Sequence, residues 1–112
     1  MSLDGCVFCK IISGEIPSNT VFENDHLLAF RDINPCAPTH ILVIPKSHIQ
    51  DLNSPCQQVI LGELLSSVPI IAKQENISSY RTVINTGSDA GQTVFHLHLH
   101  IIAGRKLSWP PG

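Results

Sequence analysis

The stretch VFHLHLHII, residues 94–102, sets His96, His98 and His100 at alternate positions with a leucine between each pair. Successive side chains of an extended strand point to opposite faces. Read as a strand, these residues put three imidazoles on one face and Leu97, Leu99 and Ile101 on the other. The aliphatic face is core. The imidazole face needs another explanation, because a histidine is costly to bury unless its ring is hydrogen-bonded or ligated. Three readings compete. A solvent-facing polar stripe accounts for one histidine and poorly for three in register. Histidines two apart on a strand can present two nitrogens to a metal. A catalytic row, with one imidazole attacking while its neighbours orient and protonate, is the third. The last two can coexist.

The segments around this strand carry their own signals. TGSDAGQT, residues 86–93, is a loop in which Gly87 and Gly91 let backbone amides approach an anion, with Asn85, Gln92 and Thr93 as neutral hydrogen-bonding groups. The glycines alone suit an ordinary turn. Beside a histidine row, a phosphate cradle is the better reading. Neither common nucleotide loop, GxxxxGK[ST] or GxGxxG, occurs. YRTVIN (80–85) reads as the preceding strand. Upstream, TVFEN (20–24) and HLLAFRD (26–32) read as a hairpin turning at Asp25, and HILVIP (40–45), almost wholly apolar, as a central strand. INPCAPT (33–39), with two prolines, is loop.

VFCKIISGE (7–15) reads as a short helix with Phe8, Ile11 and Ile12 on one face and Gly14 closing it. Residues 53–76 read as the long helix. Ser54 is the expected N-cap, Pro55 the first helical residue and Gln57 the other half of a capping box. Val59, Ile60, Leu64, Val68, Ile71 and Ala72 form its apolar stripe, and Pro69 within it predicts a kink or an early end. The expected fold is therefore a single α+β domain over 1–112. It has a five-stranded, mostly antiparallel sheet with one long and one short helix.

Composition removes several function classes. Hydrophobic residues make up 43% and charged residues 14%, the mark of a folded globule. A net charge of -2 without a basic run argues against nucleic acid as a partner. No segment approaches the ~20 apolar residues of a membrane span, and the N-terminus lacks the pattern of a secretory signal. Cytoplasm, or nucleus, is the expected compartment. Cys6, Cys9, Cys36 and Cys56 should then be mostly thiols. CVFC (6–9) could be a redox pair, half of a zinc site with histidines such as His40, His48 or His96, or two small buried residues. Cys36 and Cys56 have no partner at ligand spacing and are expected to be structural.

HLHLHII fits the pattern His-x-His-x-His followed by two apolar residues. GQTVFHLHLHII (91–102), FRDINPCAPTHILVIPKSHI (30–49), CKIISGEIPS (9–18) and SWPPG (108–112) extend the match over nearly the whole chain. The sequence resembles the histidine triad (HIT) superfamily, most closely its nucleoside phosphoramidase group. The resemblance implies a homodimer whose sheets join, with the long helix and the fourth strand supplying much of the interface.

It also implies that His98 attacks the α-phosphorus of a purine nucleoside phosphoramidate or acyl-nucleotide. The nucleotidyl-histidine is then hydrolysed to the monophosphate. His100 is similar to the residue that contacts phosphate and helps move the leaving-group proton, and His40 to the fourth active-site histidine. Thr93 and Asn85 match positions that hydrogen-bond phosphate or leaving group, and amides near Gly91 and Val94 would stabilise developing charge. Asp32 matches the carboxylate that holds the ribose, with Ile33, Phe30 and Leu27 walling the base. Trp109 resembles a residue that reaches the partner subunit's active site and shapes leaving-group preference.

In members with C-x-x-C, the resemblance implies structural zinc on Cys6, Cys9, His48 and His96. Threonine at position 93 departs from the serine usual in phosphoramidases, whereas Asn85 and the WPPG tail follow that group. A dinucleoside polyphosphate hydrolase and a nucleotide-sensing adaptor are the alternatives. A zinc protein with purely structural histidines would unfold on chelation and gain nothing from nucleotide.

Overall fold

The computed structural model describes residues 5–55 and 58–112. Its elements follow in the order α1 (Val7–Ile12), β1 (Thr20–Glu23), β2 (Leu27–Arg31), β3 (Thr39–Pro45), α2 (Gln58–Gln74), β4 (Tyr80–Val83) and β5 (Leu99–Ala103), with a 3-10 turn at Ser88–Ala90. The strands form one antiparallel sheet in the order β1-β2-β3-β5-β4.

Local chemistry explains the boundaries. The β1–β2 turn closes because Asn24 Oδ1 accepts the amides of His26 and Leu27 at 2.9 and 2.8 Å. At the N-terminus of α1 the side chain of Cys6 takes the capping position and accepts the Cys9 amide at 3.4 Å. Gly14, with φ of +85°, ends that turn in a conformation that favours glycine. Asn76, at φ 58°, does the same after α2.

Strand alternation splits the core into two layers. Leu27, Ala29, Ile41, Val43, Leu99 and Ile101 face Leu64, Val68 and Ile71 of α2. On the other side, Leu28, Phe30, Leu42 and Ile44 pack with Phe8 of α1. The long helix packs over the β2, β3 and β5 part of one face. The six residues of α1 cover only part of the other, and the uncovered part holds His40 and His100. That asymmetry creates the site.

Three expectations need correction. The last strand begins at Leu99, not Val94. The Leu97 amide instead bonds Ile49 O at 2.6 Å, and His96 O is taken by a side chain. Pro69 does not end α2, which runs on to Gln74. Ser54 is no helix cap: its hydroxyl bonds Asp51 Oδ1 at 3.2 Å, and Pro55 is not helical. Gln57 of the expected capping box and Cys56 lie outside the described residues. Within the stripe Val59 is 64% exposed, whereas Ser67 is buried, its hydroxyl donating to Leu64 O at 2.7 Å. No helix among the described residues is long and apolar enough to cross a membrane.

Candidate active site

The three histidines sit in distinct environments despite their even spacing. His96 is fully buried, His98 is buried, and His100 is partly exposed within β5. The Nε2–H of His96 donates to Pro45 O at 2.8 Å, which leaves lone-pair density on Nδ1. The Nδ1–H of His98 donates to His96 O at 2.7 Å, so its Nε2 carries a lone pair. His100 Nδ1 lies 2.8 Å from His40 Nε2, and His40 Nε2 lies 3.5 Å from Asp32 Oδ2. Burial pushes His96 and His100 down to about 4, in His100 with help from neighbouring His98 and His40 and against Asp32. Burial also lowers His98, opposed by the His96 carbonyl and by Asp32. Burial thus favours the neutral form of all three rings.

The loop before the triad is held by a buried side chain. Gln92 accepts the Gly87 amide at 2.9 Å and donates to Gln50 O at 2.9 Å and Val94 O at 3.1 Å. It is an internal clamp, not the substrate-facing group the sequence suggested. Gly91 adopts a left-handed conformation at φ 100°, which favours glycine although a Cβ there would meet Asn85 only at ordinary van der Waals distance. Asn85 is half-buried beside it.

A cavity of about 410 Å³ opens on the face that α1 leaves uncovered. Asp32, Phe30, Ile33, Thr93, Val94, His98 and His100 line it. His40 stands behind His100 and is buried. Leu27 does not join them. It is fully buried on the α2 side, because it and Phe30 have opposite parity along β2. Trp109 is 80% exposed in the tail and is not part of this wall. Sequence reasoning missed the opposite wall, made by Phe8 and Ile11 of α1 and by Ile16 to Ser18. It also missed Phe8 as a spacer. The edge-to-face ring contacts of Phe8 run to His96 at 5.8 Å and to His98 at 5.1 Å. The apolar face of α1 was visible in the sequence, but its docking beside the histidines was not.

A second cluster surrounds the fully buried His96. Cys6, Cys9, His48 and His96 bring one sulfur or nitrogen each within 4.8 Å of one another. Cys6 Sγ is 3.5 Å and Cys9 Sγ 3.7 Å from His96 Nδ1, and Cys9 Sγ is 3.3 Å from His48 Nδ1. Two thiols and two imidazoles at these separations match a tetrahedral divalent ion, and the Pro45 carbonyl fixes the His96 tautomer such a ligand needs. These residues can therefore hold a metal ion.

Residues 13–107 match the HIT domain family. The chain belongs to the HIT family. It is 49% identical over 111 residues to adenylylsulfatase HINT1 of Arabidopsis thaliana, covering 95% of this chain and 76% of that one. It is 48% identical over 113 residues to a 14 kDa zinc-binding protein of Zea mays, covering 95% and 87%. The crystal structure of a HIT family hydrolase from Legionella pneumophila superposes with a TM-score of 0.92 at 47% identity, covering 96% of this chain and all of that one. The five-stranded antiparallel sheet with two helices is thus that of HIT family structures.

Proposed function

We propose that this HIT protein hydrolyses purine nucleoside 5'-phosphoramidates, or related conjugates of a nucleoside monophosphate, through a nucleotidyl-histidine. The observation that carries this reading is the pairing of opposite groups at one cavity wall. His98 offers the lone pair of Nε2 and His100 lies beside it, rings 5.0 Å apart. In the first step a bond forms from His98 Nε2 to the α-phosphorus. The P–N bond breaks with its electron pair on nitrogen, to which His100 Nε2–H donates a hydrogen bond, and a proton taken from solvent completes the departing amine. In the second step water attacks phosphorus, the bond to His98 Nε2 breaks, and the water's proton is released to solvent, which restores the proton taken up in the first step. Splitting one displacement into two lowers each barrier. Asp32 holds the ribose hydroxyls, Phe30 and Ile33 pack on the base, and Thr93, Asn85 and the amides near Gly91 and Val94 bind the phosphoryl oxygens. Few polar groups line the base wall, which fits a purine without strong selection between purines.

Zinc fits Cys6, Cys9, His48 and His96 as a closed structural site, and the name of the maize relative supports that choice of metal. Bound there, the ion supplies rigidity to the segment that carries His98. Dimerisation is supported by surface chemistry. β4 pairs with β5 on one side only among the described residues, and Val59, Leu65, Ile70 and Tyr80 are exposed on α2 and β4. In such a dimer Trp109 would reach the site of the other subunit.

The test is AMP release from adenosine 5'-phosphoramidate by the wild type and by His98→Ala. Release that collapses in the variant by a factor of ~10³ or more is expected. No release by a folded, AMP-binding wild type would sink the assignment. The name of the Arabidopsis relative makes adenylyl sulfate the natural second substrate to try.

A further inference from the structure

Among the described residues, Asp32, His40 and His100 also bring ligand-type atoms within 4.8 Å of one another. Distance alone would allow a second metal there. The hydrogen bonds argue otherwise. The backbone amide of Cys36 donates to His40 Nδ1 at 3.1 Å. An amide N–H cannot accept, so His40 Nδ1 holds a lone pair, and a neutral His40 carries its single proton on Nε2. A metal on Nε2 would require an imidazolate ring. Instead Nε2–H donates to His100 Nδ1 at 2.8 Å. His100 in turn must carry its own proton on Nε2. That atom is buried, has no partner among the described residues, and belongs to a ring that lines the cavity.

We propose that the Cys36 backbone amide is a positioning group: through His40 it sets the tautomer in which His100 presents N–H, not a lone pair, to the bound substrate. The hydrogen bonds run one way, from Cys36 N–H to His40 and from His40 to His100. The loop that carries the amide is itself pinned. Arg105 Nε donates to Cys36 O at 3.1 Å. Gly104, at φ +97°, lets Pro38 approach so closely that a Cβ would sit 2.8 Å from Pro38 Cβ. The Cys36 thiol is exposed and plays no part. Without the amide, His40 is free to carry its proton on Nδ1. Its Nε2 would then accept from His100 Nδ1–H, and His100 would turn a lone pair toward the phosphoryl group.

The chemical consequence rests on the reading given under Proposed function; the tautomers do not. Long-range ¹H–¹⁵N correlation spectra of the full-length protein report which ring nitrogen is protonated. In the wild type, protonated Nε2 and unprotonated Nδ1 are expected for both His40 and His100. The reverse in either ring overturns the proposal. Cys36→Pro removes the N–H, and the tautomers of both rings should switch, whereas Cys36→Ala should leave both unchanged. If the proline variant does not fold, a backbone ester at position 36 makes the same deletion with the side chain kept. Unswitched tautomers in whichever variant folds overturn the proposal.

Kinetics add a second reading. Cleavage of adenosine phosphoramidate, whose leaving nitrogen takes the His100 N–H hydrogen bond, should fall ~10²-fold or more, the range for losing one transition-state hydrogen-bond donor. Cleavage of adenylyl sulfate, whose sulfate needs no proton, should fall less than about tenfold on the same grounds. An equal fall for both would refute the link from tautomer to leaving group. If the wild type turns over neither substrate, the functional reading fails while the spectra still decide the tautomers.

Discussion

Phe8 joins the short helix to both histidine clusters, so Phe8→Ala probes the architecture of the site at one position. The ring is 6% exposed and meets Phe30 at 5.6 Å, His96 at 5.8 Å and His98 at 5.1 Å between centroids, all edge-on. Truncating a buried phenylalanine costs ~3–5 kcal/mol. The low end applies here because the ring also borders an open cavity, where water can fill the space it leaves. A loss of ~3 kcal/mol in a domain of this size lowers Tm by ~12 °C. The assay is thermal unfolding followed by circular dichroism at fixed protein concentration and fixed metal content, since binding and assembly both shift apparent stability. Phe8→Leu retains most of the volume and should cost ~1 kcal/mol. A Tm loss below ~4 °C for Phe8→Ala, equivalent to ~1 kcal/mol, would show that α1 does not pack on the sheet as described.

Three further outcomes follow from named contacts. Gln92→Ala strips partners from the Gly87 amide and the Gln50 and Val94 carbonyls, and should cost ~2–3 kcal/mol in urea unfolding. Gln92→Glu, which sets a buried carboxylate against the Gln50 and Val94 carbonyls, should cost at least as much. Acid should weaken the fold through His100, which faces His98, His40 and Asp32 and has its pKa held at about 4. The folded state keeps the ring neutral, while the unfolded chain binds a proton below ~6.5. This contribution is therefore complete above ~6.5, is lost as pH falls toward about 4, and amounts to at most ~3 kcal/mol. His100→Gln should flatten that part of a stability-against-pH curve. For the metal cluster, Cys9→Ala should abolish stoichiometric zinc measured by elemental analysis. Zinc in ~100-fold excess over its dissociation constant should raise wild-type stability by ~2.7 kcal/mol, and leave Cys9→Ala unmoved.

Much of this was legible in the sequence because it depends on short-range periodicity. Alternation along residues 94–102 separated the histidine side from the leucine side, and that separation holds even where residues 94–98 are not strand. The same alternation should have excluded Leu27 from the cavity wall, since it and Phe30 cannot share a face of one strand. Helix and strand order followed from apolar spacing, and the Cys6–Cys9 pair from its motif. Errors gathered where a residue's partner is distant in sequence. Ser54 serves a loop aspartate in place of a helix end, and Gln92 clamps the loop rather than facing substrate.

The sequence by itself therefore determined the set of chemical groups and the faces on which they could lie, since those depend on residue type and backbone period. Only the tertiary structure decided which groups meet. It docks Phe8 between two histidines, brings Cys6 and Cys9 to His48 and His96, and aims the Cys36 amide at His40. The last of these matters most for chemistry. A histidine's type leaves open which of its nitrogens carries the proton, and that is settled by hydrogen bonds to backbone atoms that the fold alone brings within reach.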